Sequence, residues 1–570
     1  MVSILLHLLC SVATPVATLF FAYYAYSKLW LGFSTIAAVS VALLLLVVAW
    51  KCYIYPIFFS PLRRLPSPKG GHWLLGQLLN MKGEDLGVTC HRWMHDIPNQ
   101  GLIKFRGVLN QERLLLTSPR AIADVLVTHS NAFHKSKMMT TPLRRVTGDS
   151  ILVTEGAEHK HHRKALEPAF AFRHLKSLYP VFWSKACESV SAIRNQMYFY
   201  PTPADGTAGL AGPGNTTKAI FDVDAFASRV ALDMIGTAGL GRDFGAIQDG
   251  DIPLAKVLSE VFEPKKHALI VDLFYMLFLG PIISLLPGER NSVLAQASRT
   301  VKEICRDIVR EKRESVIGEK QRQVSNCDIT SALMRDPSLE DDAVVEQMRS
   351  FLAAGLKGPA SSFTWAVYLL CQNPDIQSTL RAEIRANLPS PSDQTRSIEA
   401  TDIDRLPYLT AVCLEVLRFM PPAPFTLREA VENTTIAGEY VPKGTLVLIS
   451  MWAVNRSVSL WGNDAEQFNP DRWLTTVTHP ETGLSSLKVN KNGGAVSNYA
   501  FMTFWHGRGN CIGQNFAMAE MACVIASWIG KFDFVLSDMG DSCSLEVNKG
   551  GPIMCPRNGL YVEATAVEGW

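Results

Sequence analysis

The chain has 570 residues, 55 basic against 53 acidic side chains, and 48% hydrophobic residues. A formal charge of +2, with no Lys/Arg run interleaved with aromatics, argues against a nucleic-acid partner, and the length allows a sizeable core. The twelve cysteines stand singly, without C-x-x-C pairs or zinc-type His spacing, and are read as reduced thiols facing a cytosolic milieu.

Two apolar runs open the chain, at about 4–26 and 31–50. The second is a full bilayer span; the first is long enough but is interrupted by His7 and Pro15, so residues 1–59 are read as a membrane anchor of one or two helices. No Lys or Arg precedes the first run, against a cleaved signal peptide. Lys51, Arg63, Arg64 and Lys69 follow the second run, which places the bulk of the protein on the cytosolic side. Residues 60–76, with Pro61, Pro66, Pro68 and Gly70-Gly71, read as a semi-rigid spacer.

Beyond residue 77 helical periodicity dominates, with amphipathic stretches near 254–274, 296–318, 341–370 and 402–419. Short strand patterns stand at 102–105, 113–116 and 445–449. Two stretches read as inserted loops, Gly/Pro-rich 201–217 and polar 475–497. The expectation is one mainly α domain with a small β component over 77–570.

Within the apolar stretch FLAAGLKGPASSFTWAVYLL, residues 351–370, Gly355, Gly358 and Pro359 predict a broken helix. An interior Pro costs about 3 kcal/mol or more and each Gly about 1 kcal/mol relative to Ala.

Near the C-terminus stands FWHGRGNCIG, residues 504–513, followed by a helical pattern from about Gln514. The glycines permit a tight loop, and Cys511 falls just before a helix N-terminus, where amide dipoles favour a thiolate. A bare Cys in a loop is more often ordinary packing. The whole stretch, however, closely resembles the haem-binding loop of cytochromes P450. That resemblance implies a P450 fold, in which a long distal helix and a proximal Cys loop sandwich a b-type haem. It makes Cys511 the axial thiolate, with Phe504 packed beside it, Arg508 on a haem propionate and Gly513 letting the next helix pass close to the porphyrin.

Three further stretches resemble the same family. Glu415 and Arg418 in LEVLRFMPPAP, with Arg472 in FNPDRW, match its buried Glu-Arg-Arg cluster, a structural support for the thiolate side. The segment from Pro442 to Asp464 follows it at Gly444, Thr445, Trp461 and Gly462. In GAEHKHHRKALEPAF, His159 and Arg163 at i, i+4 are the implied propionate ligands. The overall likeness is to microsomal P450s of the fungal kind.

On that alignment 351–370 is the distal helix, where the family usually carries A-G-x-D/E-T-T/S. Here Lys357 replaces the acid and Gly358 the threonine. Pro359 is expected to open a groove by displacing the Gly355 carbonyl, and Ser361, one turn on, to hold a water for the lost hydroxyl. Two readings follow. One is a monooxygenase whose protons come through water, Ser361 or a substrate hydroxyl; the other is a haem enzyme of rearrangement or dehydration without dioxygen. A haem carrier or sensor is a third, non-enzymatic one.

The monooxygenase reading implies electrons from NADPH through a separate NADPH-cytochrome P450 reductase, with cytochrome b5 as an auxiliary donor, because the chain has no Gly-rich nucleotide fingerprint. It further implies an endoplasmic reticulum membrane protein in contact with lipid, acting on a hydrophobic small molecule. A terpenoid or polyketide intermediate comes first and a fatty acid second. Substrate contacts are expected from 150–153, 262–274, the start of the distal helix and 423–426.

Overall fold

The structure, a computed structural model, describes residues 33–83, 86–197, 218–250, 289–318, 328–336, 339–393, 395–478, 485–538 and 553–570, with residues 252, 254, 257 and 547 besides. The first apolar run, the 201–217 loop and the 262–274 contact region lie outside these residues.

Helix α1, Phe33–Ala49, runs directly into a π-helix, Trp50–Phe59. Residues 35–59 form the one helix among the described residues long and apolar enough to cross a membrane. At 1.5 Å per residue these 25 residues reach about 37 Å, more than the roughly 30 Å of a hydrocarbon core.

The Pro/Gly-rich stretch that follows is not a free spacer. Ser60 Oγ donates to Glu112 Oε2 at 2.5 Å, Leu62 is buried, and Lys104 N donates to Pro66 O at 2.8 Å. His72 and Gly76 exchange both backbone hydrogen bonds, and Gly76 at φ +56° passes so close to Arg106 that a Cβ would lie 2.2 Å from its carbonyl oxygen. Prolines stiffen this segment, and its buried Ser60 and Leu62 tie its start to the first sheet.

That sheet has five strands in the order β1-β2-β8-β5-β3: β1 Leu102–Arg106, β2 Glu112–Leu116, β3 Phe133–Lys135, β5 Phe425–Ala430 and β8 Leu446–Ser450. Only β2 and β8 pair in parallel. A second sheet joins β4 Lys218–Asp222 to β11 Phe532–Leu536 and β12 Tyr561–Ala566 in the order β11-β12-β4, and β6 Thr434–Ile436 with β7 Glu439–Val441 forms a hairpin. The expected 475–497 loop carries a ribbon, β9 Leu474–Thr478 on β10 Ser485–Val489; its alternating Thr/Val and Ser/Leu residues suit exposed strands.

The principal helices after α1 are α2 Leu86–Asp96, α3 Lys137–Thr147, α4 Gly156–Leu166, α5 Tyr179–Met197, α6 Val223–Met234, α7 Glu289–Gly318, α8 Asp341–Gln372, α9 Pro374–Asn387, α10 Pro407–Phe419 and α11 Gln514–Lys531. Their ends follow local chemistry: Ser136 and Asp222 cap α3 and α6, Asp341 and Asp342 favour the positive end of α8, and Asn373-Pro374 stops it. Helix α8 is the axis of the core. Leu352, Phe363, Trp365, Val367 and Leu370 are all buried in a cluster that includes residues of α5, α6, α10 and α11.

The predicted break in α8 is absent: the helix is continuous from Asp341 to Gln372 with Pro359 inside it. The two glycines have different causes. A Cβ on Gly355 would lie 2.7 Å from Ile235 Cγ1, so Gly355 lets two helical segments pack closely, whereas a Cβ on Gly358 would meet nothing within 4 Å. Tight packing on one side thus offsets the propensity cost.

Candidate active site

The Cys loop is shaped by two left-handed residues, Trp505 at φ 60° and Gly507 at φ +72°. Only glycine fits at 507, where a Cβ would lie 2.1 Å from Leu126 O. Cys511 N closes the loop on Phe504 O at 2.9 Å, and α11 starts three residues later. Among the nine described cysteines, none in a disulfide, Cys511 is the exposed one. Its enclosure within the protein raises the thiol pKa; the Gly513 N–H and the Arg163 guanidinium oppose that rise. Arg163, implied as a propionate ligand, instead grips the loop, donating to Asn510 O at 2.7 Å and Asn510 Oδ1 at 2.9 Å.

Opposite, α8 presents Ala354, Gly355 and Gly358 as accessible positions in an otherwise buried stretch. Phe170 joins the two walls: its ring lies 5.5 Å from that of Phe351, and a Cβ on Gly513 would be 3.8 Å from its Cε1. The polar neighbours of the strip point elsewhere. Lys357, about 100° round the helix from Gly358, donates to Ser228 Oγ at 3.2 Å. Ser361 is not a water holder on the strip; its Oγ donates to Met554 O at 2.5 Å, beside Trp365 Nε1 at 2.9 Å. Met554 N in turn donates to Pro422 O at 2.8 Å, so distal helix, C-terminal segment and the stretch after α10 are stitched together.

A cationic rim lies along one edge. Lys135 and Arg428 stand directly opposite each other on β3 and β5, and Arg428 is only 6% exposed. Like charges so placed repel. Burial, then Arg428, pushes Lys135 down to about 8 against the pull of Glu155. His159 is lowered to about 4 by burial, Lys135, Arg163 and His162, again opposed by Glu155. The Cys loop runs beside this rim at Gly509, where a Cβ would be in ordinary contact with Arg428 Nη2 at 3.5 Å. Crowded, partly desolvated cations fit a group bearing carboxylates, such as the two propionates of the haem that the Cys loop implies. Arg508 does not join them; it is exposed and donates to Asn131 Oδ1 at 2.7 Å. Sequence reasoning does not find Lys135 or Arg428; a lone Arg in the buried strand FTLREA is a signal for Arg428 alone.

Beneath the loop, Glu415, Arg418 and Arg472 converge. Arg418 forks onto Glu415 at 2.8 Å twice, Arg472 Nε reaches Glu415 Oε1 at 3.1 Å, and Trp473 Nε1 and Asn469 N complete the carboxylate's shell at 2.8 and 2.9 Å. Glu415 and Arg418 are fully buried. The cluster reaches the Cys loop through Asn455: Arg418 Nη1 donates to Asn455 O at 2.7 Å, Asn455 Nδ2 to Thr503 Oγ1 at 2.9 Å, and Thr503 directly precedes Phe504.

Comparisons with known proteins agree with this geometry. The cytochrome P450 family profile matches residues 66–563, starting inside the former spacer. Among curated relatives, cytochrome P450 monooxygenase sphH of Aspergillus fumigatus is 39% identical over 540 residues, 94% of each chain. Cytochrome P450 monooxygenase ALT8 of Alternaria alternata is 37% identical, covering 91% of this chain and 92% of its own. Cytochrome P450 monooxygenase FUM15 of Gibberella moniliformis is 36% identical over 88% of each. With a cysteine loop, a small-residue distal strip and the buried Glu-Arg cluster in one fold, the chain belongs to the cytochrome P450 family and is an oxidoreductase of its monooxygenase class.

Proposed function

We propose that the enzyme hydroxylates or otherwise oxidises a hydrophobic small molecule, a terpenoid or polyketide intermediate of secondary metabolism, at the cytosolic face of the endoplasmic reticulum. Electrons come from an NADPH-dependent P450 reductase. The observation that carries this reading is Cys511, accessible in its glycine-shaped loop, with Phe170 linking that loop to the distal helix α8. Fungal monooxygenase relatives and the apolar helix at residues 35–59 support the setting.

Haem b, when bound, supplies the oxidising chemistry: one oxygen atom of dioxygen enters a C–H bond and the other leaves as water, at the expense of two electrons and two protons. Around it each residue has a task. Cys511 would supply the thiolate that holds the haem iron, with Phe504 beside it and Gly513 allowing close approach. Arg428 and His159 would hold the carboxylate edge, with Lys135, which donates to Ile151 O and Thr154 O, adding positive charge beside them. The Glu415, Arg418 and Arg472 cluster fixes the loop from below through Asn455 and Thr503. Ala354 and Gly358 would leave room above, while Gly355 lets α8 pack against Ile235. With Lys357 and Ser361 bound to other elements, protons travel by water or by a hydroxyl of the substrate.

The test is turnover with reductase on a panel of terpenoids, polyketides and fatty acids, counting NADPH and dioxygen consumed per product. A one-to-one-to-one ratio is expected. Product formed anaerobically and without reductase replaces the proposal with a rearrangement or dehydration.

A further inference from the structure

Residues 150–154, between α3 and α4, form a tight turn that is held from three directions. Inside it, Val153 N and Thr154 N donate to Ser150 O at 3.0 and 3.1 Å, and Thr154 Oγ1 adds a third bond to the same oxygen at 3.1 Å. From the distal helix, Gln347 Oε1 accepts Ile151 N at 3.0 Å. From α4, His162 Nδ1 lies 3.3 Å from Thr154 Oγ1. From the rim, Lys135 Nζ donates to Ile151 O at 3.0 Å and to Thr154 O at 3.1 Å. The Lys135 backbone is fixed as well, its N donating to Glu155 Oε1 at 2.6 Å.

Gln347 places this turn on the face of α8 that carries the bare strip. Along a helix of 100° per residue, Ala354 and Gly358 both point within about 20° of Gln347, and they lie about 10.5 and 16.5 Å further along the axis. Phe351, one turn after Gln347, meets Phe170, which reaches the Cys loop. Ile151 is only partly buried and packs against the core cluster that contains Phe351. The turn is therefore a wall at the upstream end of the strip. Lys135 stands beside Arg428 on the rim, yet two of its three ammonium donors go to carbonyls of this wall.

We propose that Lys135 is a positioning residue for the substrate: it ties the 150–154 turn to the cationic rim, and so fixes the wall against which a bulky apolar substrate rests above the distal strip. The inference rests on the monooxygenase reading and deepens it by separating the tasks of the rim. Arg428 and His159 serve the haem carboxylates, and Lys135 serves the substrate side. Its two bonds are charge-assisted, so a neutral side chain at 135 frees one end of the turn while Gln347 still holds the other.

The experiment titrates the purified full-length holoenzyme with imidazole and with clotrimazole, a triaryl azole whose bulk reaches well beyond the ring that meets the iron, following the Soret shift. Lys135→Met should weaken clotrimazole about ten-fold and leave imidazole affinity, haem content and the reduced-CO band unchanged. Lys135→Arg should recover part of the loss. Gln347→Leu, which frees the turn from α8, should also weaken clotrimazole alone. Unchanged clotrimazole affinity in Lys135→Met, or equal weakening of both azoles, overturns the role while the P450 reading stands. Loss of haem from Lys135→Met overturns it too and makes Lys135 a haem ligand. A wild type without the thiolate-type CO band overturns the monooxygenase reading, and the inference with it.

Discussion

On the proximal side Glu415 accepts five hydrogen bonds, from Arg418 twice and from Arg472, Trp473 and Asn469, whereas the distal strip of α8 offers only Ala354, Gly355 and Gly358 and sends Lys357 and Ser361 to other elements. The two walls divide the work. One is a satisfied buried network that fixes a ligand, in which any missing partner strands a charge. The other gains its function from side chains it lacks, so its residues tolerate change wherever no neighbour fills the space.

The contrast is open to attack at four points. The largest effect falls on Cys511→Ala, expected to abolish the thiolate-type reduced-CO band and reduce turnover to background; retention of the band removes the proximal wall's purpose. Next, Glu415→Ala leaves Arg418 and Arg472 without their carboxylate and should cost about 3–5 kcal/mol, read as a lowered denaturant midpoint and lost haem. On the distal helix the two glycines should move in opposite directions. Gly355→Val drives a side chain into Ile235 and should destabilise by about 1–3 kcal/mol. Gly358→Ala meets nothing and should gain about 1 kcal/mol from helix propensity, both measured as shifts in thermal midpoint.

The smallest effect concerns the rim in the haem-free protein. His159 falls from 6.5 to about 4 on folding, so between those values the unfolded chain binds more protons. Its contribution is present above about 6.5 and is lost as pH falls toward 4. Lys135, Glu155, Arg163 and His162 act on the same ring. His159→Gln should flatten the urea midpoint across that window, and an unchanged slope would separate His159 from the rim.

What could be read from the sequence depended on how far apart the partners lie. Glu415 and Arg418 are one helical turn apart, and the Cys loop is a single short segment, so each lies in a short stretch that carries the family resemblance. Lys135 and Arg428 meet only because β3 pairs with β5, which no local pattern reveals. Ser361 was assigned to the correct helix but not to its partner, since Met554 arrives from the far end of the chain. The break predicted in α8 failed for a related reason: helix propensity counted the cost of Gly355 without the contact with Ile235 that offsets it. The spacer was inferred from its prolines and glycines, yet Ser60 and Leu62 decide its fate by being buried.

That joint also fixes a phase. Tyr53 Oη donates to Trp73 O at 3.0 Å, Ser60 N to Tyr55 O at 2.9 Å and Ser60 Oγ to Glu112 Oε2 at 2.5 Å, so the helix ending at Phe59 meets the domain as a keyed shaft. Inserting one residue into Phe33–Ala49 would turn everything upstream by about 100° and shift it by about 1.5 Å relative to the catalytic body. The length of this apolar helix is therefore an angular setting, and insertions of one, two and four residues should turn its upstream end in three different directions relative to the domain.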